Sequence, residues 1–197
     1  GHAINSVVHL LTRPSENPAL DIDQDLLLER VLRKHPDVIG VGEMRSAKEA
    51  LSVAESSRTG HTVVTTIHSN SAESTYRRMM TLAKRKYNMA DENLMQIMVE
   101  AYPIVVFTKQ LEDGSRRTMQ IIEGEDYKDG ELIFHPLYQF DVTDNITDAY
   151  GNITVIGSHK KLGGISDNLK RRMLDNGVPA GKLKPFLPDA PCKEGGK

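Results

Sequence analysis

Val38-Ile39-Gly40-Val41-Gly42-Glu43-Met44-Arg45 is a short apolar run that ends in an acid and a cation. Its β-branched residues over so few positions suit a strand covered on both faces, as in a parallel sheet. On its N-terminal side, Asp23 is a plausible N-cap for a helix whose Leu27, Leu28, Val31 and Leu32 share one face. His35-Pro36 stops that helix, because the residue before proline is pushed out of the helical region. A loop with Pro14 and Pro18 and an apolar strand over Ser6–Leu11 are expected further upstream. On the other side, Ser46-Ala47-Lys48-Glu49 reads as a capping box. Ala47, Ala50, Leu51 and Ala54 follow at helical spacing, so a helix should run to about Arg58, with Gly60 just past its end.

Thr62–Ile67 reads as the next strand and His68-Ser69-Asn70-Ser71 as the loop after it. Helices follow, one with Ala72, Tyr76, Met79, Met80 and Ala83 on a face, another with Leu94, Ile97, Met98 and Ala101, stopped by Pro103. Beyond this point the character changes. Ile104–Leu111, Ser115–Ile122 and Glu131–Phe134 are expected strands, separated by the turn signals Asp113-Gly114 and Asp129-Gly130. Residues 141–157 are polar and poorly patterned, and Ile165, Leu169 and Met173 suggest a last short helix. The tail from Pro188 is expected to be disordered. The pattern predicts an α/β fold, a mostly parallel sheet with antiparallel C-terminal hairpins. Three parts are expected: residues 3–111, residues 112–187 and the tail at 188–197.

The 197 residues carry 25 basic and 27 acidic side chains, a net charge of −2. A protein that lives on nucleic acid usually shows a basic excess, so nucleic acid is not an expected partner. The basic clusters at Arg77-Arg78, Lys84-Arg85-Lys86 and Lys170-Arg171-Arg172 sit in helical patterns, where a solvated face accounts for them. The single cysteine, Cys192, fits a reducing cytosol, and no apolar stretch approaches the ~20 residues of a membrane span. Gly1-His2 reads as an expression scar, so the chain is expected to begin in mid-protein.

Glu43 closes an apolar strand, and in open α/β sheets ligands bind at the carboxyl ends of strands. There it could orient water near a magnesium ion, or serve as a helix-N-terminal acid worth ~0.5 kcal/mol. His61 and His68 bracket the next strand. Each could contact a phosphate oxygen or merely cap a loop. With no third ligand in sight, metal is not expected at that pair.

Leu32 through Arg45 resembles the Walker B box of the secretion-superfamily ATPases, and Thr59 through Ala72 resembles their histidine box. These are hexameric motors of type II secretion, type IV pili, conjugative type IV secretion and tight-adherence (Flp) pili. Val105 through Arg117 and Gly177-Val178-Pro179 look most like the tight-adherence and conjugative branch. The resemblance implies a RecA-like core that uses ATP and Mg2+. Glu43 would prepare the attacking water, and His68, with His61, would sense the γ-phosphate. Arg45 would hold the acidic loop, and Arg13 would reach nucleotide phosphates. The same resemblance implies a homo-hexamer on an inner-membrane platform protein, peripheral at the cytoplasmic face without direct membrane insertion.

One element of the family is missing. None of the fifteen glycines opens a G-x-x-x-x-G-K-[ST] pattern, so the phosphate-binding loop is not in these residues. The expectation is therefore the C-terminal part of an ATPase that powers pilus assembly or secretion, inactive by itself. The alternative is a non-catalytic assembly module that binds neighbouring subunits or the platform.

Overall fold

The computed structural model describes residues 8, 10–13, 15–17, 22–34 and 36–189. Ser6, Val7 and His9 of the expected first strand lie outside the described residues, as do His35 and the tail from residue 190 with Cys192. The chain divides into two compact units. One holds the residues up to Ile67 together with Thr81–Asn88; the other holds His68–Met80 and the chain from Met89 onward.

In the first unit, helix α1 (Gln24–Leu32) starts at Asp23, whose carboxylate accepts the Leu26 amide at 2.7 Å. Strands β1 (Val38–Val41) and β2 (Thr62–Thr65) pair in parallel, Ile39 against Val63 and Val41 against Thr65. The connection is helix α2 (Ala47–Arg58), which opens with the expected capping box. The Glu49 amide donates to Ser46 Oγ, and the Glu49 carboxylate accepts the Ser46 amide at 2.9 Å. Ala50, Val53 and Ala54 are fully buried, and these small side chains let α2 lie close against its neighbours.

The sheet departs from expectation in one respect. β1 alternates, with Ile39 and Val41 buried and Val38 and Gly40 exposed. Val38 is 59% and Val64 61% accessible. Only one face of the parallel pair is covered by the described residues, where the apolar run suggested two.

The second unit rests on an antiparallel meander in the order β3-β4-β5-β6. β3 is Ile104–Gln110, β4 Arg116–Lys128, β5 Glu131–Thr147 and β6 Ile153–Lys161. Helix α3 (Ala72–Lys84) contributes to both units, and α4 (Asp91–Ala101) packs on β4. Tyr76 is fully buried and donates its hydroxyl to the Tyr102 carbonyl at 2.6 Å. Burial pushes the Tyr76 phenol well above its ordinary range. Glu123, also buried, accepts the amide of Ser166 at 2.7 Å and its hydroxyl at 2.5 Å. That carboxylate thereby anchors the N-terminus of α5 (Asp167–Asp175), while Leu137, Ile165 and Leu169 form a small core beneath it. A short helix α6 (Ala180–Leu183) and a 3-10 turn at Lys184–Phe186 complete the unit.

The expected turns are present: Asp129 and Gly130 both adopt positive φ, at 53° and 83°, and link β4 to β5 as a hairpin. The strands are longer than the sequence suggested. β4 continues to Lys128, β5 to Thr147, and residues 153–161 form a strand where no pattern was visible. Along 143–154 every residue is exposed, so neither face of this hairpin needs an apolar stripe. The α/β expectation itself holds, a parallel pair followed by antiparallel strands. No helix among the described residues is long and apolar enough to cross a membrane.

Candidate functional site

The segment after β1 carries the acid that the sequence singles out. Glu43 is half-buried, its side chain 25% accessible, and it forms an ion pair with Arg45, which is 74% accessible. The hydrogen bond that Arg45 donates to Glu43, then the charge of Glu43, raises the Arg45 pKa further above its ordinary value. Between them Met44 turns inward and is almost fully buried.

Two further residues hold the loop. The buried carboxylate of Glu49 accepts the Arg45 amide at 2.6 Å as well as the Ser46 amide of the capping box. On the other flank the Met44 amide donates to the Thr66 carbonyl at 2.8 Å, and the Thr66 hydroxyl donates to the Gly42 carbonyl at 2.5 Å. The acidic loop is therefore tied both to the start of α2 and to the chain just past β2. Neither tie was legible in the sequence. The capping box marked Glu49, but nothing in the pattern marked its bond to Arg45, and Thr66 gave no signal at all.

The remaining candidates are placed as follows. His61 caps the end of α2: its backbone amide and its Nδ1 each lie 3.2 Å from the Ser56 carbonyl oxygen. His68 is exposed at the start of the loop that leads into α3. Arg13 is exposed and its backbone pairs with Ile22 in an antiparallel bridge, at 2.9 and 3.0 Å. Glu43, Arg45, His61 and Arg13 belong to the first unit and His68 to the second. Glu43 and Arg45 are brought together as an ion pair. Among the described residues no group of three or more His, Cys, Asp or Glu side chains is arranged to hold a metal ion.

Chemically, a half-buried carboxylate at the carboxyl end of a parallel strand can orient water or accept a proton. A cation two residues on forms an ion pair with it. The family profile of the type II/IV secretion system proteins matches residues 3–110, more than half of the chain. A protein transport protein HofB homolog of Haemophilus influenzae is 35% identical over 81 residues, 41% of this chain and 18% of its own length. The type IV pilus assembly ATPase PilB of Pseudomonas aeruginosa is 38% identical over 74 residues, 38% of this chain and 13% of its own. The conjugal transfer protein TrbB of Rhizobium radiobacter is 38% identical over 109 residues, 54% of this chain and 32% of its own. This chain thus spans a third or less of the length of these relatives.

Proposed function

Since the chain belongs to the type II/IV secretion system protein family, we propose that it is the acidic-loop and histidine-box part of a RecA-like ATPase. That motor would spend ATP to drive pilus assembly or protein secretion. The observation that carries the reading is the acidic loop. Glu43 stands half-buried at the end of a parallel strand, with Arg45 against its carboxylate and both flanks hydrogen-bonded.

In this role Glu43 holds the water that attacks the terminal phosphate and accepts its proton. Arg45 pairs with that carboxylate and holds the acidic loop. His68, at the exposed start of its loop, donates to the γ-phosphate and distinguishes ATP from ADP. His61 supports it from the C-terminal cap of α2, and Arg13 reaches toward the phosphates. The carboxylate of Glu43 suits the neighbourhood of Mg2+, which would neutralise charge on the phosphates when bound. A cradle of backbone amides with its lysine is not found in these 197 residues. We place it elsewhere in the full-length protein, together with the rest of a homo-hexameric ring that works on a membrane platform protein. The bare face of β1 and β2, with Val38 and Val64 exposed, supports a larger sheet in the full-length protein. The boundary after residue 111 is supported by the end of the family match at residue 110.

In the full-length protein, Glu43→Gln keeps size and hydrogen bonding but removes the base. Turnover should fall by ~100-fold or more while ATP affinity stays nearly unchanged. Loss of affinity at an unchanged rate constant would assign Glu43 a structural role instead.

A further inference from the structure

Resting on the reading of Glu43 given above, we propose that Thr66 is the positioning residue that sets the direction of the Glu43 carboxylate. Glu43 sits between two peptide groups. The one before it carries the Gly42 carbonyl, and the one after it carries the Met44 amide. A single residue holds both: the Thr66 hydroxyl donates to the Gly42 carbonyl at 2.5 Å, and the Thr66 carbonyl accepts the Met44 amide at 2.8 Å. The two backbone rotations of Glu43 are the angles between these two peptide planes and its own Cα. Anchoring both planes to one residue fixes φ and ψ of Glu43 together, and with them the point from which its side chain starts.

The two bonds differ in kind. The Met44 amide bond extends the parallel pairing of β1 with β2 beyond Val41 and Thr65, and any residue at position 66 would supply the acceptor. The hydroxyl bond depends on the side chain. Without it the peptide ahead of Glu43 loses its bond to Thr66, while the Met44 amide bond and the Arg45 ion pair remain. Arg45 is itself mostly exposed, so that pair follows the acid rather than dictating its place. Catalytic geometry tolerates little such freedom, since a misplacement of about 1 Å costs on the order of 100-fold in rate. Thr66 is exposed, and a Gly42 carbonyl released by the substitution can turn to water. The fold should therefore survive loss of the hydroxyl.

The test compares Thr66→Val, which keeps the β-branched shape and removes only the hydroxyl, with Thr66→Ser, which keeps the hydroxyl. Both are measured beside Glu43→Gln in the full-length protein. We expect Thr66→Val to lower kcat ~10–100-fold with KM for ATP within about twofold of the parent. Thr66→Ser should restore most of that loss, and Tm should change by no more than ~2–4 °C in either variant. In this chain, amide hydrogen exchange at Glu43 should quicken in Thr66→Val and not in Thr66→Ser. If Glu43→Gln abolishes turnover while Thr66→Val leaves kcat and exchange unchanged, the clamp is overturned and the reading of Glu43 stands. If Thr66→Ser is as slow as Thr66→Val, the hydroxyl is not the cause. If Glu43→Gln leaves kcat unchanged, both the reading and the clamp fall.

Discussion

At the scale of single residues, the acid and its cation were legible in the sequence, and their geometry was not. A glutamate that closes a β-branched run stands out because strand ends are where α/β sheets bind ligands. What holds it depends on distant backbone: Glu49 reaches back to the Arg45 amide, and Thr66 reaches across from just past the next strand. No local pattern encodes such contacts. The histidines separate along similar lines. His61 already serves the end of α2 through the Ser56 carbonyl, so its ring has a structural task that any phosphate role would have to share. His68 lies exposed on its loop. If His68 donates only to the γ-phosphate, His68→Ala in the full-length protein should cut the preference for ATP over ADP by ~10-fold or more. ADP affinity should hold, and His61→Ala should leave that preference in place. Nucleotide titrations of the two variants check this, and an equal loss of ATP and ADP affinity in His68→Ala would mean a fold defect.

At the scale of elements, local chemistry was readable wherever one residue meets its near neighbours. The Asp23 cap, the Ser46–Glu49 box and the Asp129-Gly130 turn are each settled within a few positions of sequence. The outer part of the β5–β6 hairpin, residues 143–154, escaped because periodicity is written by burial on one face, and here water reaches both. Beyond its ladder with β5, β6 makes single bonds to more distant residues. One runs from the Val155 amide to Asp113 at 3.1 Å, and another places His159 Nε2 3.0 Å from the Thr118 carbonyl oxygen. Hydrogen bonds from Ser115 and Val155 keep the Asp113 carboxyl below its ordinary pKa. The packing of α3 on β4 depends on a different detail, the missing side chain of Gly124. A Cβ there would lie 2.7 Å from Tyr76 Cζ and closer still to its hydroxyl. Tyr76 is fully buried and bonded to Tyr102, so the ring has little room to withdraw. Gly124→Ala should therefore destabilise by ~1–3 kcal/mol, measured by denaturant unfolding. Adding Tyr76→Phe, which removes the nearest atom, should cost less than the two separate effects predict. Full additivity would place the strain elsewhere.

At the scale of the whole molecule, the family was legible because two long boxes stand in order on either side of a capped helix, and the profile match over residues 3–110 bears this out. The charge balance kept nucleic acid out of the expectations, and the bare face of β1–β2 is the feature the sequence did not show. The apolar run reads as a strand covered on both faces; among the described residues it is covered on one. On the function proposed above, labour is divided, with the acid, its clamp and the histidine loop here and the phosphate cradle in another part of the full-length protein. Calorimetric titration of Mg-ATP, with a parallel assay of phosphate release, into this chain and into the full-length protein tests that division most directly. The expected result is no tight binding and no turnover by the 197 residues alone, and Mg2+-dependent hydrolysis by the full-length protein. Micromolar ATP binding with magnesium-dependent turnover by this chain alone would contradict it.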